Sequence, residues 1–240
     1  PESLYHTTLS ITSHYHSSSG GSTRSSYILG THTDLPSARS FALSCLESSL
    51  NYHPSDFQTF TTRLSYSPSP DSDDEDSWPY GENSLVYAVT RSGQEFLVGL
   101  ETKPNHSSLR SGGPDGTPLL PKTGSGCDHL HYVLQTTTYY DQATGSLTDP
   151  DRDAFQTTEI EGCYVPRSEA LDAARAALKK AREKGMFAQY DERDDDDGIG
   201  EKTDGWPFGE DVVVHAVGEM GENYDVAVRT VPGTKRRKSK

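Results

Sequence analysis

Apolar and polar residues alternate with a period of two from Leu4 to Ser13 and again from Leu130 to Thr138, the pattern of a strand with one buried face. The same alternation predicts second strands over Tyr27 to Thr33 and Thr158 to Val165. A different period appears from Leu171 to Leu178, where apolar positions recur at i, i+3, i+4, i+7 and i+8. That spacing predicts a helix with a single buried face, with Ser168 as its N-cap and Gly185 as its stop. Two hairpins follow the same logic: Leu85 to Val89 turns at Arg91-Ser92-Gly93 into Glu95 to Leu100, and Val212 to Val217 turns near Met220-Gly221 into Tyr224 to Val228.

These segments occur twice in the same order. Leu4 and its neighbours match Leu130 onward at an offset of 126, and Gly30 matches Gly162 at 132. At that second offset Ala38, Phe41, Ala42, Cys45 and Leu46 fall on Ala170, Ala173, Ala174, Ala177 and Leu178. Phe57, Phe60 and Arg63 match Phe187, Tyr190 and Arg193 at 130. Trp78-Pro79-Tyr80-Gly81-Glu82 returns as Trp206-Pro207-Phe208-Gly209-Glu210 at 128, an offset that also carries Val86, Ala88, Phe96 and Val98 onto Val214, Ala216, Tyr224 and Val226. Ordered offsets that change only across loops are the mark of an internal tandem duplication.

Each copy is therefore read as ββαβββ, an α+β unit with one helix on a mainly antiparallel sheet. The first copy covers residues 1–104 and the second 129–232, with a Gly/Pro/Ser-rich linker at 105–128 and a basic tail at 233–240. As a flexible coil the linker would span about 27 Å, which allows the copies to pack as a pseudo-two-fold pair, as an ancestral homodimer would.

Composition narrows the function. Hydrophobic residues make up 32% of the 240, and the deficit is concentrated in Ser, Thr, Asp and Gly-rich stretches, which predicts long polar loops around an ordinary core. A net charge of −14 argues against a nucleic-acid backbone or an anionic membrane as the main partner and favours a basic protein segment. No apolar run approaches the roughly 20 residues that span a bilayer, and the opening Pro1-Glu2-Ser3-Leu4 has no secretory pattern. Cys45, Cys127 and Cys163 are odd in number and form no C-x-x-C pair, which fits a reducing compartment. An intracellular protein, cytoplasmic or nuclear, is expected. The tail Lys235 to Lys240 fits a nuclear address, a contact with nucleic acid or a solubilising end equally well.

The repeated aromatic block has Pro and Gly where a type I turn takes them. Trp78 and Trp206 are expected to plug the core, while Tyr80, Phe208, Glu82 and Glu210 flank the turns. An acidic run precedes each block, with Asp73, Asp74, Glu75 and Asp76 in the first copy and Asp194, Asp195, Asp196 and Asp197 in the second. Such runs are usually solvated loops; their matched placement beside aromatic turns instead suggests recognition of a Lys/Arg-rich segment. His14-Tyr15-His16 and His129-Leu130-His131 place two rings on one strand face, but neither completes a four-ligand zinc spacing. No nucleophile with a fixed base, phosphate loop or cofactor motif is present in the sequence. The expectation is a non-enzymatic protein-binding or chaperone-like module that holds a basic segment through acidic loops and aromatic turns. The alternative is an enzyme or small-molecule binder with a pocket between the repeats, using Glu82 and Glu210 as paired carboxylates.

Overall fold

The computed structural model describes residues 1–14, 22–66, 78–121, 129–140, 154–193 and 206–232. The fold is α+β, mostly antiparallel sheet with few helices, and it divides into two compact units. No helix among the described residues is long and apolar enough to cross a membrane.

The first unit runs β1 (Ser3–His14), β2 (Ser22–His32), α1 (Leu35–Ser48), a 3-10 turn (Pro54–Asp56), β3 (Phe57–Thr62), β4 (Ser84–Thr90) and β5 (Glu95–Pro104). Its five strands are antiparallel in the order β2-β1-β5-β4-β3. Asp34 starts α1 by accepting the Ser37 N–H at 2.8 Å, which satisfies one of the donors a helix start leaves free. The buried face carries Ala38, Ala42, Cys45 and Leu46, and the last three pack with Leu9, Val86, Ala88, Phe96 and Val98 of the sheet. The small Ala42, near the middle of α1, shares this layer with Phe96, which is 1% exposed. Burying one such ring is worth about 1.5–3 kcal/mol.

Strand β2 begins five residues before the alternation predicts. Ser22 to Ser26 are polar, and they extend the strand because β1 offers them a continuous ladder, His14 opposite Ser22 and Ser10 opposite Ser26. The segment after β5, expected to open a structureless linker, instead folds onto this unit. Asn105 donates from its side chain to Pro1 O at 2.9 Å and to Leu109 O at 2.8 Å, and accepts the Leu109 N–H at 2.9 Å. A short hairpin of β6 (Arg110–Ser111) and β7 (Pro118–Leu119) follows. Its loop returns to the head of α1, where Thr33 donates from N and Oγ1 to Gly116 O at 2.8 and 3.0 Å. Gly116 has φ +69, and a Cβ there would stand 2.6 Å from Ser37 Cβ, so only glycine fits.

The second unit runs β8 (His129–Tyr140), β9 (Ala154–Tyr164), α2 (Arg167–Ala177), α3 (Lys179–Glu183), β10 (Phe187–Glu192), β11 (Val212–Gly218) and β12 (Asn223–Pro232). Its five-stranded sheet has the order β10-β11-β12-β8-β9. Ala170, Ala174 and Leu178 pack on Val133, Val214, Ala216, Val226 and Val228. The expected single helix is corrected in two respects. It starts two residues earlier, with Pro166 rather than Ser168 as the cap and no side-chain bond from it, so Ser168 sits inside the first turn. It also breaks at Leu178, whose ψ of 0 interrupts the helix while its side chain stays buried. The stop at Gly185 is as expected, with φ +71 and the paired bonds Gly185 N to Arg182 O and Met186 N to Ala181 O, a Schellman closure.

Candidate binding surface

In the first unit the aromatic turn is a small, fully wired device. Trp78 is 8% exposed and donates Nε1–H to Ser84 Oγ at 2.6 Å. Ser84 Oγ donates onward to Tyr80 O at 2.7 Å, with Gly81 O at 2.9 Å. The indole meets Tyr66 and Tyr80 edge-on at 5.3 and 4.9 Å, and Tyr80 stacks on Tyr87 of β4 at 3.9 Å. Gly81 takes φ +97 with nothing near its Cβ position. Arg63, just past β3, ties the turn to the sheet: its N–H bonds Leu85 O at 2.8 Å and its Nη1 donates to Glu82 O.

The second unit repeats the frame with different fillings. Trp206 meets Phe208 edge-on at 5.0 Å, and Phe208 stacks on His215 of β11 at 3.8 Å. His215 Nδ1 lies 2.7 Å from Asp225 Oδ1. Gly209 has φ +108. Arg193 donates N–H to Val213 O at 2.9 Å and Nη1 to Glu210 O at 2.7 Å. Here the tryptophan is only half-buried, yet its Nε1 is shut off from solvent and has no hydrogen-bond partner. The reason is one residue: β11 opens with Val212 where β4 opens with Ser84, so the acceptor is gone. The expectation that both tryptophans plug the core is met closely by Trp78 and only halfway by Trp206.

Of the residues singled out in the sequence, Trp78, Tyr80, Trp206 and Phe208 thus spend much of their surface inside the turns. What each turn leaves exposed is Pro79, Gly81 and Glu82 in one unit and Pro207, Gly209 and Glu210 in the other. Asp73, Asp74, Glu75, Asp76 and Asp194, Asp195, Asp196, Asp197 lie outside the described residues. Glu192, two residues before Asp194, is held by Arg175 at 3.6 Å and Arg182 at 4.0 Å. Arg182 also lies over the Tyr190 ring at 4.3 Å.

No group of three or more His, Cys, Asp or Glu among the described residues has metal-binding geometry. His14 faces Glu95 at 3.5 Å, His131 Nδ1 bonds Thr230 Oγ1 at 2.9 Å, and His16 and Cys127 lie outside the described residues. Cys45 and Cys163 are free and buried, and burial pushes their thiols up to about 11 and about 12, far from the thiolate that nucleophilic or ligand chemistry needs. Sequence reasoning paired Arg63 with Arg193 but missed what they do, and it missed Ser84 and the His215–Asp225 pair. The signal for the arginines was there: a cation kept at a strand end, opposite a glycine turn whose carbonyls need donors. No protein-family model, characterised protein or solved structure matches the chain.

Proposed function

We propose that the chain is a tandem duplication of one ββαβββ unit and acts as a non-enzymatic binding or chaperone-like protein that recognises a basic protein segment. The duplication is supported by details that the matched positions share. Register shifts fall at Phe57/Thr59 and Ser84/Val86 in one unit and at Phe187/Gln189 and Val212/Val214 in the other. Extra bonds run from Leu100 N to Asn83 O and from Val228 N to Asp211 O. Bulges are placed features of a fold, and two at matched positions favour a common origin over convergence.

One observation carries the binding reading. In both units an arginine just past the preceding strand donates to the turn carbonyl of Glu82 or Glu210, so each aromatic turn is tied to its sheet while its glutamate side chain stays in solvent. An aromatic turn tied to its sheet and preceded in the sequence by an acidic run suits an extended Lys/Arg-rich segment: the aliphatic stems can lie on Pro79 or Pro207, and the cationic heads meet carboxylates.

The test changes Asp73, Asp74, Glu75, Asp76 and Asp194 to Asp197 to Asn or Ser in the full chain. Folding should be almost unchanged. Affinity for an arginine-rich peptide, measured by titration calorimetry, should fall at low salt, and wild-type binding should already weaken as salt rises, because exposed charges are screened beyond about 8 Å at physiological ionic strength. Undiminished binding by the neutralised chain at low salt would refute the proposal.

A further inference from the structure

Two histidines of the first unit are buried on opposite faces of one strand pair. His6 on β1 is completely inaccessible and His32 on β2 is 4% exposed. His6 Nδ1 bonds Thr31 Oγ1 at 2.9 Å. His32 stands across from Tyr5 and meets Phe41 of α1 at 5.1 Å. The corner is close-packed, since a Cβ on Gly30 would lie 2.7 Å from the Phe41 ring and 3.3 Å from the His32 ring. The matched positions of the second unit hold Tyr132 and Tyr164, with Gly162 against Tyr164 and Tyr132 bonded to Cys163. A phenol is neutral throughout mild acid; an imidazole is not.

We propose that His6 and His32 form an acid-sensitive latch that loosens the first unit in mildly acidic conditions while the second, which has tyrosines in their place, stays folded. The surroundings bear on both rings. Glu101 and Lys103 of β5 flank His6. Asp34 at the head of α1 and Asp115 in the β6–β7 loop act on His32, and the neutral Phe41 of α1 packs against its ring. Burial outweighs the carboxylates: it pushes His6 down to about 4, helped by Lys103 and His32, and it lowers His32 against the pull of Asp34 and Asp115. Burial therefore disfavours a proton on either ring in the folded unit, so protonation and opening are coupled. The second unit's histidines differ. His131 is also lowered by burial but is only half-buried, and the buried His215 has Asp225 beside it at 2.7 Å.

Each unit has its own reporter. Trp206→Phe leaves Trp78 to follow the first unit, and Trp78→Phe leaves Trp206 to follow the second. Urea unfolding of the full chain between pH 7.5 and 4.5 should show the unfolding constant from Trp78 rising about 70-fold more steeply than that from Trp206, the amount a single imidazole lowered from 6.5 to about 4 contributes. Equal shifts at both reporters, or none at Trp78, would overturn the proposal. His6→Tyr with His32→Tyr, which copies the second unit, should flatten the Trp78 response. Because that pair of changes risks misfolding, histidine ring NMR on the wild-type chain provides an independent decision: His6 should stay neutral in the folded unit at pH 5, and a folded-state titration near pH 6.5 would refute the latch.

Discussion

Ser84→Ala tests how much the wired turn of the first unit depends on one hydroxyl. Ser84 is 5% exposed and Trp78 8%, so water cannot replace the lost acceptor and Trp78 Nε1–H would be left buried and unpaired. Such a group costs about 1–3 kcal/mol, while the carbonyl of the half-buried Tyr80, which loses its donor, can recover part of its bond from solvent. The expected loss is therefore about 1–3 kcal/mol in urea unfolding of the full chain followed at Trp78. The cause is isolated by repeating the change in a Trp78→Phe background, with the first unit followed by Tyr fluorescence or hydrogen exchange. Without the indole N–H, Ser84→Ala should cost only about 0.5–1 kcal/mol, which leaves a coupling of about 0.5–2 kcal/mol between the two sites. Additivity within about 0.5 kcal/mol would mean that the 2.6 Å bond contributes little and that Trp78 is held by packing alone.

Val212→Ser makes the reverse change: it supplies the acceptor that Trp206 lacks, and thermal or urea unfolding of the second unit should show the tryptophan's lost bond partly restored, offset by the apolar surface that Val212 gives up. Arg193→Met removes the donor to Glu210 O while keeping the side-chain stem; a loss of about 1 kcal/mol is expected from the hydrogen bond, read at Trp206. Gly116→Ala should destabilise the first unit by at least about 1 kcal/mol through its positive φ and the contact with Ser37, measured at Trp78. For His6 the folded value of about 4 lies below the unfolded 6.5, so its contribution is full above pH 6.5 and is lost as pH falls from 6.5 toward 4. The total is at most about 3 kcal/mol, and a flat pH profile at Trp78 would refute it.

What the sequence reveals is what repeats or alternates. The hairpins at Gly93 and Gly221, the helix faces through Ala38, Ala42, Ala170 and Ala174, and the turn glycines Gly81 and Gly209 all leave local marks, because period and positive φ are local properties. Ser22 to Ser26 leave none, since a polar strand is fixed by the partner it pairs with. Asn105 and Gly116 read as linker for the same reason: their roles are bonds to Pro1 and Thr33, far away in the chain. The helix break at Leu178 is invisible in a run of good helix formers. At the candidate site the aromatic turn was legible as a motif, but the difference between its two copies rests on Ser84 and Val212, two residues that lie outside the repeated block.

The strand order of the first unit has a consequence for how it is made. Its sheet consists of two local pieces, the β1–β2 hairpin and the β3–β4–β5 meander, closed by the β1–β5 seam, in which Leu9 pairs with Val98. Those partners are 89 positions apart, so at about 5–20 residues per second a ribosome takes about 4–18 s between delivering one and delivering the other. During that interval β1 carries an unsatisfied edge beside Leu9 and Ile11, and α1 has only half a sheet to lie on. A nascent chain stalled before Glu95 would therefore present an open apolar strand edge to the cell, the feature that chaperones engage and that aggregates grow from.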